Sequence, residues 1–83
     1  MRVAYKEKAA EQLAALPTAV QRRILAKLDF WASQRNPLSF AKPLAGHNAY
    51  RFRIGGYRAI VEVDGETLIV LLIVKREGAY RNL

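Results

Sequence analysis

Tyr50-Arg51-Phe52-Arg53-Ile54-Gly55-Gly56-Tyr57-Arg58 carries two signals at once. Gly-Gly between two runs rich in aromatic and apolar residues is the chemistry of a two-residue β-hairpin turn. Side chains alternate along a strand, so Tyr50, Phe52 and Ile54 take one face and Arg51 and Arg53 the other. With Gly55-Gly56 as the loop, Ile54 pairs with Tyr57, and Arg53 lies directly opposite Arg58. Like charges facing each other across a strand pair are destabilising. A fold alone gains nothing from that arrangement, whereas a polyanion on that face would give it a use.

Downstream, the pattern continues as strands. Tyr57–Val63 and Thr67–Lys75 alternate or run apolar, and Asp64-Gly65 between them is a second hairpin signal. Leu68-Ile69-Val70-Leu71-Leu72-Ile73-Val74 is apolar on both faces, as expected of a central strand with covered faces or flanking neighbours. Upstream, Leu38 to Asn48 reads as a loop punctuated by Pro43 and Gly46. Before it lie two amphipathic helices. The first runs from Glu7 to Leu16, with Ala9, Leu13 and Leu16 at helical spacing. Pro17-Thr18 opens the second, which runs to about Arg35 with Val20, Ile24, Leu28, Trp31 and Ala32 as its apolar stripe. Arg22, Arg23 and Lys27 lie off that stripe. Trp31 and Phe30 are assigned to core packing, the usual fate of aromatics. Asn36-Pro37 ends the helix, because a residue before proline avoids helical geometry. Arg2–Tyr5 supplies a short first strand. The order β-α-α-β-β-β predicts an α+β fold, with two N-terminal helices packed on a small antiparallel sheet of about four strands.

The chain has 83 residues, enough for one small domain spanning 1–83 with a single core. Apolar residues make up 52% and charged residues 25%, ordinary for a globular protein. The net charge of +7 and pI near 10.3 call for an acidic partner. The absence of cysteine excludes disulfides and thiolate chemistry. No signal peptide is visible, and the longest apolar run, Leu68 to Val74, is too short to span a bilayer. The expected setting is therefore cytoplasmic, without a membrane partner.

Standard catalytic constellations are absent. The single histidine, His47, sits in a Gly-His-Asn turn and reads as a surface residue. It has no neighbouring ligand, so neither a metal nor another cofactor is expected. Gly55-Gly56 opens no helix and is no phosphate loop. Glu62, Asp64 and Glu66 cluster at a turn and read as a solubilising set. What remains is basic and aromatic: Arg51, Arg53, Arg58, Lys75, Arg76, Tyr80 and Arg81. Arginine suits phosphate because its planar fork binds two oxygens and keeps its charge. Several arginines around one phosphate can also stabilise the extra charge of a phosphoryl-transfer transition state. Tyr80 offers a face for an unstacked base. A two-residue loop at Asp64-Gly65 puts Lys75 on the arginine face, while a bulge or an odd-length loop puts Arg76 there.

These residues resemble the RelE/ParE superfamily of toxin–antitoxin toxins over almost the whole length. The resemblance is carried by Ala9 to Leu16 with Pro17, by Ala41-Lys42-Pro43-Leu44-Ala45-Gly46, by Tyr50 to Ile54, by Gly56-Tyr57-Arg58, and by Lys75-Arg76-Glu77-Gly78-Ala79-Tyr80-Arg81. It implies a four-stranded antiparallel sheet with two helices. It also implies, for a RelE-like member, a ribosome-dependent mRNA endonuclease that cuts in the A site. There the 2′-hydroxyl attacks the adjacent phosphate, giving a 2′,3′-cyclic phosphate and a free 5′-hydroxyl. By the same resemblance Arg58 would hold the scissile phosphate, Arg76 would protonate the leaving oxygen, and Tyr80 would stack on a base. Arg53 takes the position that activates the 2′-hydroxyl, and Arg51, Lys75 and Arg81 would bind RNA. Arginine stands at positions 51 and 53 where the family often has lysine, and with a pKa of about 12.5 or above it acts by electrostatics rather than as a base. Val74-Lys75 also stands where the family often has Gly-His. A ParE-like member would instead poison DNA gyrase without nuclease chemistry, and a basic RNA-binding module is a third reading. Either toxin reading implies a cognate antitoxin, an acidic and partly disordered segment that folds on the basic surface, with hydrophobic anchors in a groove between helices and sheet and a heterotetramer as one expected assembly.

Overall fold

The computed structural model describes residues 1–45 and 48–76. A first strand β1 (Arg2–Tyr5) leads into helices α1 (Glu7–Ala14) and α2 (Thr18–Ala32). A 3-10 turn over Pro37–Phe40 and a two-residue strand β2 (Lys42–Pro43) follow. The long strands β3 (Ala49–Ile54), β4 (Tyr57–Asp64) and β5 (Thr67–Lys75) complete the described chain. The expected loop at 38–48 thus contains a helical turn and an edge strand.

The sheet has five strands in the order β1-β5-β4-β3-β2. The antiparallel expectation holds for the β2–β3–β4–β5 ladder. It fails for β1, which pairs with β5 in parallel, Val3 beside Leu68 and Tyr5 beside Val70. A chain that passes through two helices between those strands is free to return in either sense, and parallel neighbours require such a crossover. β5 is therefore central because it is flanked on both edges, while both helices cover a single face of the sheet.

That face holds the core. Ala9 and Leu13 of α1 and Ile24, Leu28 and Ala32 of α2 meet Phe52, Ile54, Ala59, Val61, Leu68, Val70 and Ile73 from the sheet. Removal of this apolar surface from water is the main stabilising term, at roughly 25 cal/mol per Å². Trp31 packs between Phe52 and Phe40, with ring centroids 5.0 Å and 6.1 Å away. Phe30 departs from its expected place in the core. It points outward with 55% of its surface exposed, because it lies one residue off the apolar stripe of α2.

Local chemistry sets the boundaries of the elements. The first helix ends at Ala14, two residues before the expected end, ahead of the extended Pro17 at φ −55 and ψ 145. The Gln21 side chain donates to the Leu16 carbonyl at 2.7 Å and to the Ala14 carbonyl at 3.3 Å, serving acceptors that a helix end leaves open. The second helix ends at Ala32 rather than near Arg35, where Ser33 and Gln34 side chains donate to the Phe30 carbonyl at 2.7 Å and 3.0 Å.

Candidate nucleic-acid interface

The β3–β4 hairpin has the register read from the sequence: Ile54 faces Tyr57, and Arg53 faces Arg58. Gly55 has φ +58 while Gly56 stays at negative φ, the pattern of a turn with glycine required at its first central position. The second hairpin turns one residue later than expected. Asp64 pairs with Thr67, so Gly65-Glu66 forms the loop, with Gly65 at φ +59.

A bulge in β5 decides which basic residues meet. Near the turn, Val61 pairs with Val70, but the next pair is Ile60 with Leu72, leaving Leu71 as the extra residue. A bulge shifts every later side chain to the opposite face. From there Ile73 points into the core, and Val74 pairs with Arg58 on the open face. Arg76, the first residue past the strand, is helical rather than extended, and the strand register carried on by one residue directs it toward the Arg58 face. Its backbone N–H donates to the Gly56 carbonyl at 2.9 Å, tying the end of β5 to the first hairpin. Lys75 pairs with Tyr57, whose ring packs against the core, so Lys75 lies on the helix side. Of the two alternatives left open by the sequence, the bulge is realised.

The bulge has its own support. β1 ends at Tyr5, beside Val70, so farther along β5 no described strand borders that edge. There the Ile73 N–H donates to Gln12 Oε1 of α1 at 2.8 Å. A side chain thus replaces a missing strand and satisfies a backbone donor that burial would otherwise penalise.

The open face now gathers Arg51, Arg53, Arg58 and Arg76. Arg53 is exposed, and Arg51, Arg58 and Arg76 are half-buried. The Arg58 Nε is withdrawn from solvent. Lys42 of β2 pairs directly with Arg51, a second like-charge pair beside Arg53–Arg58. Sequence reasoning missed Lys42 because a two-residue strand leaves no periodic signal. Between the arginines this face carries Ile60, Leu72 and Val74, all partly exposed, and neither α1 nor α2 covers them. Tyr80 and Arg81 lie outside the described residues, as does His47. Among the described residues no cluster of His, Cys, Asp or Glu could hold a metal ion. No described helix is long and apolar enough to cross a membrane.

Two helices on one face of a mixed sheet, with a cationic opposite face around a β-hairpin, define a small α+β protein of the kind found in RelE-like toxins. Residues 3–80 match the family described as "ParE toxin of type II toxin-antitoxin system, parDE". The chain belongs to that family, the RelE/ParE toxins. A 34-residue segment is 44% identical to Toxin RelE3 of Methanocaldococcus jannaschii, covering 41% of this chain and 39% of that protein. Toxin RelE3 is thus matched over well under half its length. The RelB-RelE antitoxin–toxin complex of Methanococcus jannaschii contains a chain of the same fold, with a TM-score of 0.71 and 26% identity over 96% of this chain and 98% of that one. The chromosomal ParDE system of P. aeruginosa shares the fold at a TM-score of 0.74, with 16% identity over 90% of this chain and 95% of that one.

Proposed function

We propose that this toxin cleaves mRNA on the ribosome by the RelE-type reaction. The observation that carries the reading is the bulge at Leu71, which brings Arg76 to the face and the end of the sheet where Arg53 and Arg58 already oppose each other. A binding surface needs only positive charge. Phosphoryl transfer needs several donors converging on one phosphate, and the nearness of Arg58 and Arg76 to one end of the sheet supports their acting together in this way.

In this reaction the 2′-oxygen bonds to the adjacent phosphorus and the bond to the 5′-oxygen breaks, leaving a 2′,3′-cyclic phosphate. The half-buried Arg58 holds the phosphate oxygens and compensates the charge that grows on them. Arg53, across from it, favours the ionised 2′-oxygen through its field, and the proton leaves to water, since a guanidinium has no site to accept it. Arg76 donates a hydrogen bond to the departing 5′-oxygen as charge develops there, and that oxygen takes a proton from water to leave as the 5′-hydroxyl. Tyr80 is assigned to stacking on a neighbouring base, and Arg51, Lys75 and Arg81 to the flanking backbone. Loss of one such donor removes about 10²–10³-fold in rate in comparable sites. The partner that holds the toxin inactive is an antitoxin whose acidic segment covers the cationic face, in line with the antitoxin-bound state of the related chain.

Toeprinting on translating ribosomes tests this. The purified chain is expected to cut mRNA there, and Arg58→Ala and Arg76→Ala are expected to abolish the cut while the fold persists. The gyrase-poison reading draws on the ParE description of the matched family. It predicts intact mRNA, together with gyrase-dependent DNA breakage on expression.

A further inference from the structure

Arg23 was read from the sequence only as a polar residue off the helical stripe. In the structure its guanidinium reaches from α2 to the tip of the β3–β4 hairpin. A Cβ built on Gly55 would lie 3.2 Å from Arg23 Nη1. Gly55 is glycine for its φ of +58, and the Arg23 guanidinium lies over it as an exposed, flexible neighbour. Among the described residues Arg23 has no hydrogen bond, ion pair or ring contact, and it is exposed. A long cationic side chain over a glycine turn, with no anion beside it among those residues, is available to an external one.

The position of Arg23 is informative. Arg53, Arg58 and Arg76 occupy the open face of the sheet, whereas Arg23 and Lys75 occupy the helix side at the same end. The cationic surface therefore wraps around the hairpin tip instead of stopping at the edge of the sheet. A single phosphate cannot touch both sides. An extended chain of phosphates can, passing over Gly55-Gly56, where no side chain obstructs it. Lys27, four residues along α2 and about 6 Å farther by helical rise, continues the track. Its Nζ lies 5.8 Å from the Trp31 ring centroid.

We propose that Arg23 is a positioning residue that binds the backbone of single-stranded RNA where it leaves the phosphate site, so that the strand crosses the hairpin tip from the sheet face to α2. The inference rests on the RNA-cleavage reading for the nature of the ligand, and it adds the path of the strand and the residue that fixes it.

The test is binding of a 2′-O-methyl oligoribonucleotide, which lacks the attacking hydroxyl, to the purified chain across a range of salt. Each phosphate contact to a single strand contributes about 0.7 to the salt slope, equivalent to about fivefold in affinity at 0.1 M salt. Arg23→Gln is expected to lower the slope by about that amount and the affinity about fivefold. Arg35→Gln removes the same charge beyond the C-terminal end of α2 and is expected to change both much less. Arg23→Lys is expected to recover most of the slope. Thermal melts confirm that each variant is folded. Equal binding by Arg23→Gln and Arg35→Gln overturns the proposal and leaves the cleavage reading intact. Binding that depends on Arg23, in a protein that leaves ribosome-bound mRNA whole, supports the strand path and refutes the cleavage reading. Absence of binding by the wild-type chain overturns the strand path, while the cleavage reading is judged by the toeprint on ribosomes.

Discussion

Replacing Gln12 by Met removes one acceptor from the fold and very little volume. The acceptor matters because Ile73 lies immediately after the bulge, beyond the reach of β1, and is only 5% exposed. Its N–H meets Gln12 Oε1 at 2.8 Å, within the range of a good hydrogen bond. A buried donor left without a partner costs about 1–3 kcal/mol. Gln12 is half-buried, so water can partly replace its oxygen, which places the cost at about 1–2 kcal/mol. For a domain of this size each kcal/mol moves the melting temperature by about 4–8 °C, giving a drop of roughly 4–16 °C. Gln12→Glu keeps an oxygen in the same place and is expected to recover part of the loss. Chemical denaturation gives the free energy, and amide exchange at Ile73 gives its location, with faster exchange there than at Val61 or Phe52. Toxicity is expected to fall with stability, because the same bulge aims Arg76. Unchanged stability and unchanged exchange at Ile73 in Gln12→Met would refute the claim that this contact supports the bulge.

Three further outcomes follow from the structure. Phe52 is fully buried and stacked on Trp31, so Phe52→Ala should cost about 3–5 kcal/mol in urea titration, a large share of a small domain's stability. Arg53→Thr removes one partner of the Arg53–Arg58 pair; it should raise stability by roughly 0.2–1 kcal/mol, most clearly at low salt, while weakening RNA cleavage, and a loss of stability would contradict the like-charge reading. The Tyr5 hydroxyl is buried with no hydrogen-bond partner among the described residues, and burial first, then the charge of Asp29, push its pKa up to about 12. The folded state then holds its proton where the unfolded chain has lost it. Stability is accordingly full below about pH 10 and declines between about pH 10 and 12, and Tyr5→Phe should flatten that decline in melts followed across this range.

The hairpin was legible in the sequence because its determinants are local. Two glycines between alternating residues permit one register, and that register sets Arg53 against Arg58 whatever the rest of the chain does. The apolar stripe of α2 and the break at Pro17 are equally local, as is the core role of Trp31. The exposure of Phe30 follows from the same pattern, since helical phase sets it one step off the stripe and outweighs the general tendency of aromatics to be buried. The residues of the candidate site divide in the same way. Arg51, Arg53 and Arg58 follow from strand alternation within one hairpin. The faces taken by Lys75 and Arg76 do not, because they depend on counting residues through a bulge at Leu71.

By itself, then, the sequence determined the two helices, the three long strands joined by two hairpins and a cationic hairpin face, through periodicity and turn chemistry that act over a few residues. Tertiary structure decided the rest. β1 runs parallel to β5 because the helical crossover returns the chain to the same end of the sheet. β2 exists only because β3 offers Lys42 an edge to pair with. Arg76 joins Arg58 because Gln12, 61 residues away in the chain, supports the strand beyond its bulge. Arg23 meets Gly55 because α2 packs across the sheet. Each of these is a contact between segments distant in sequence, whose energy depends on packing that no local pattern records.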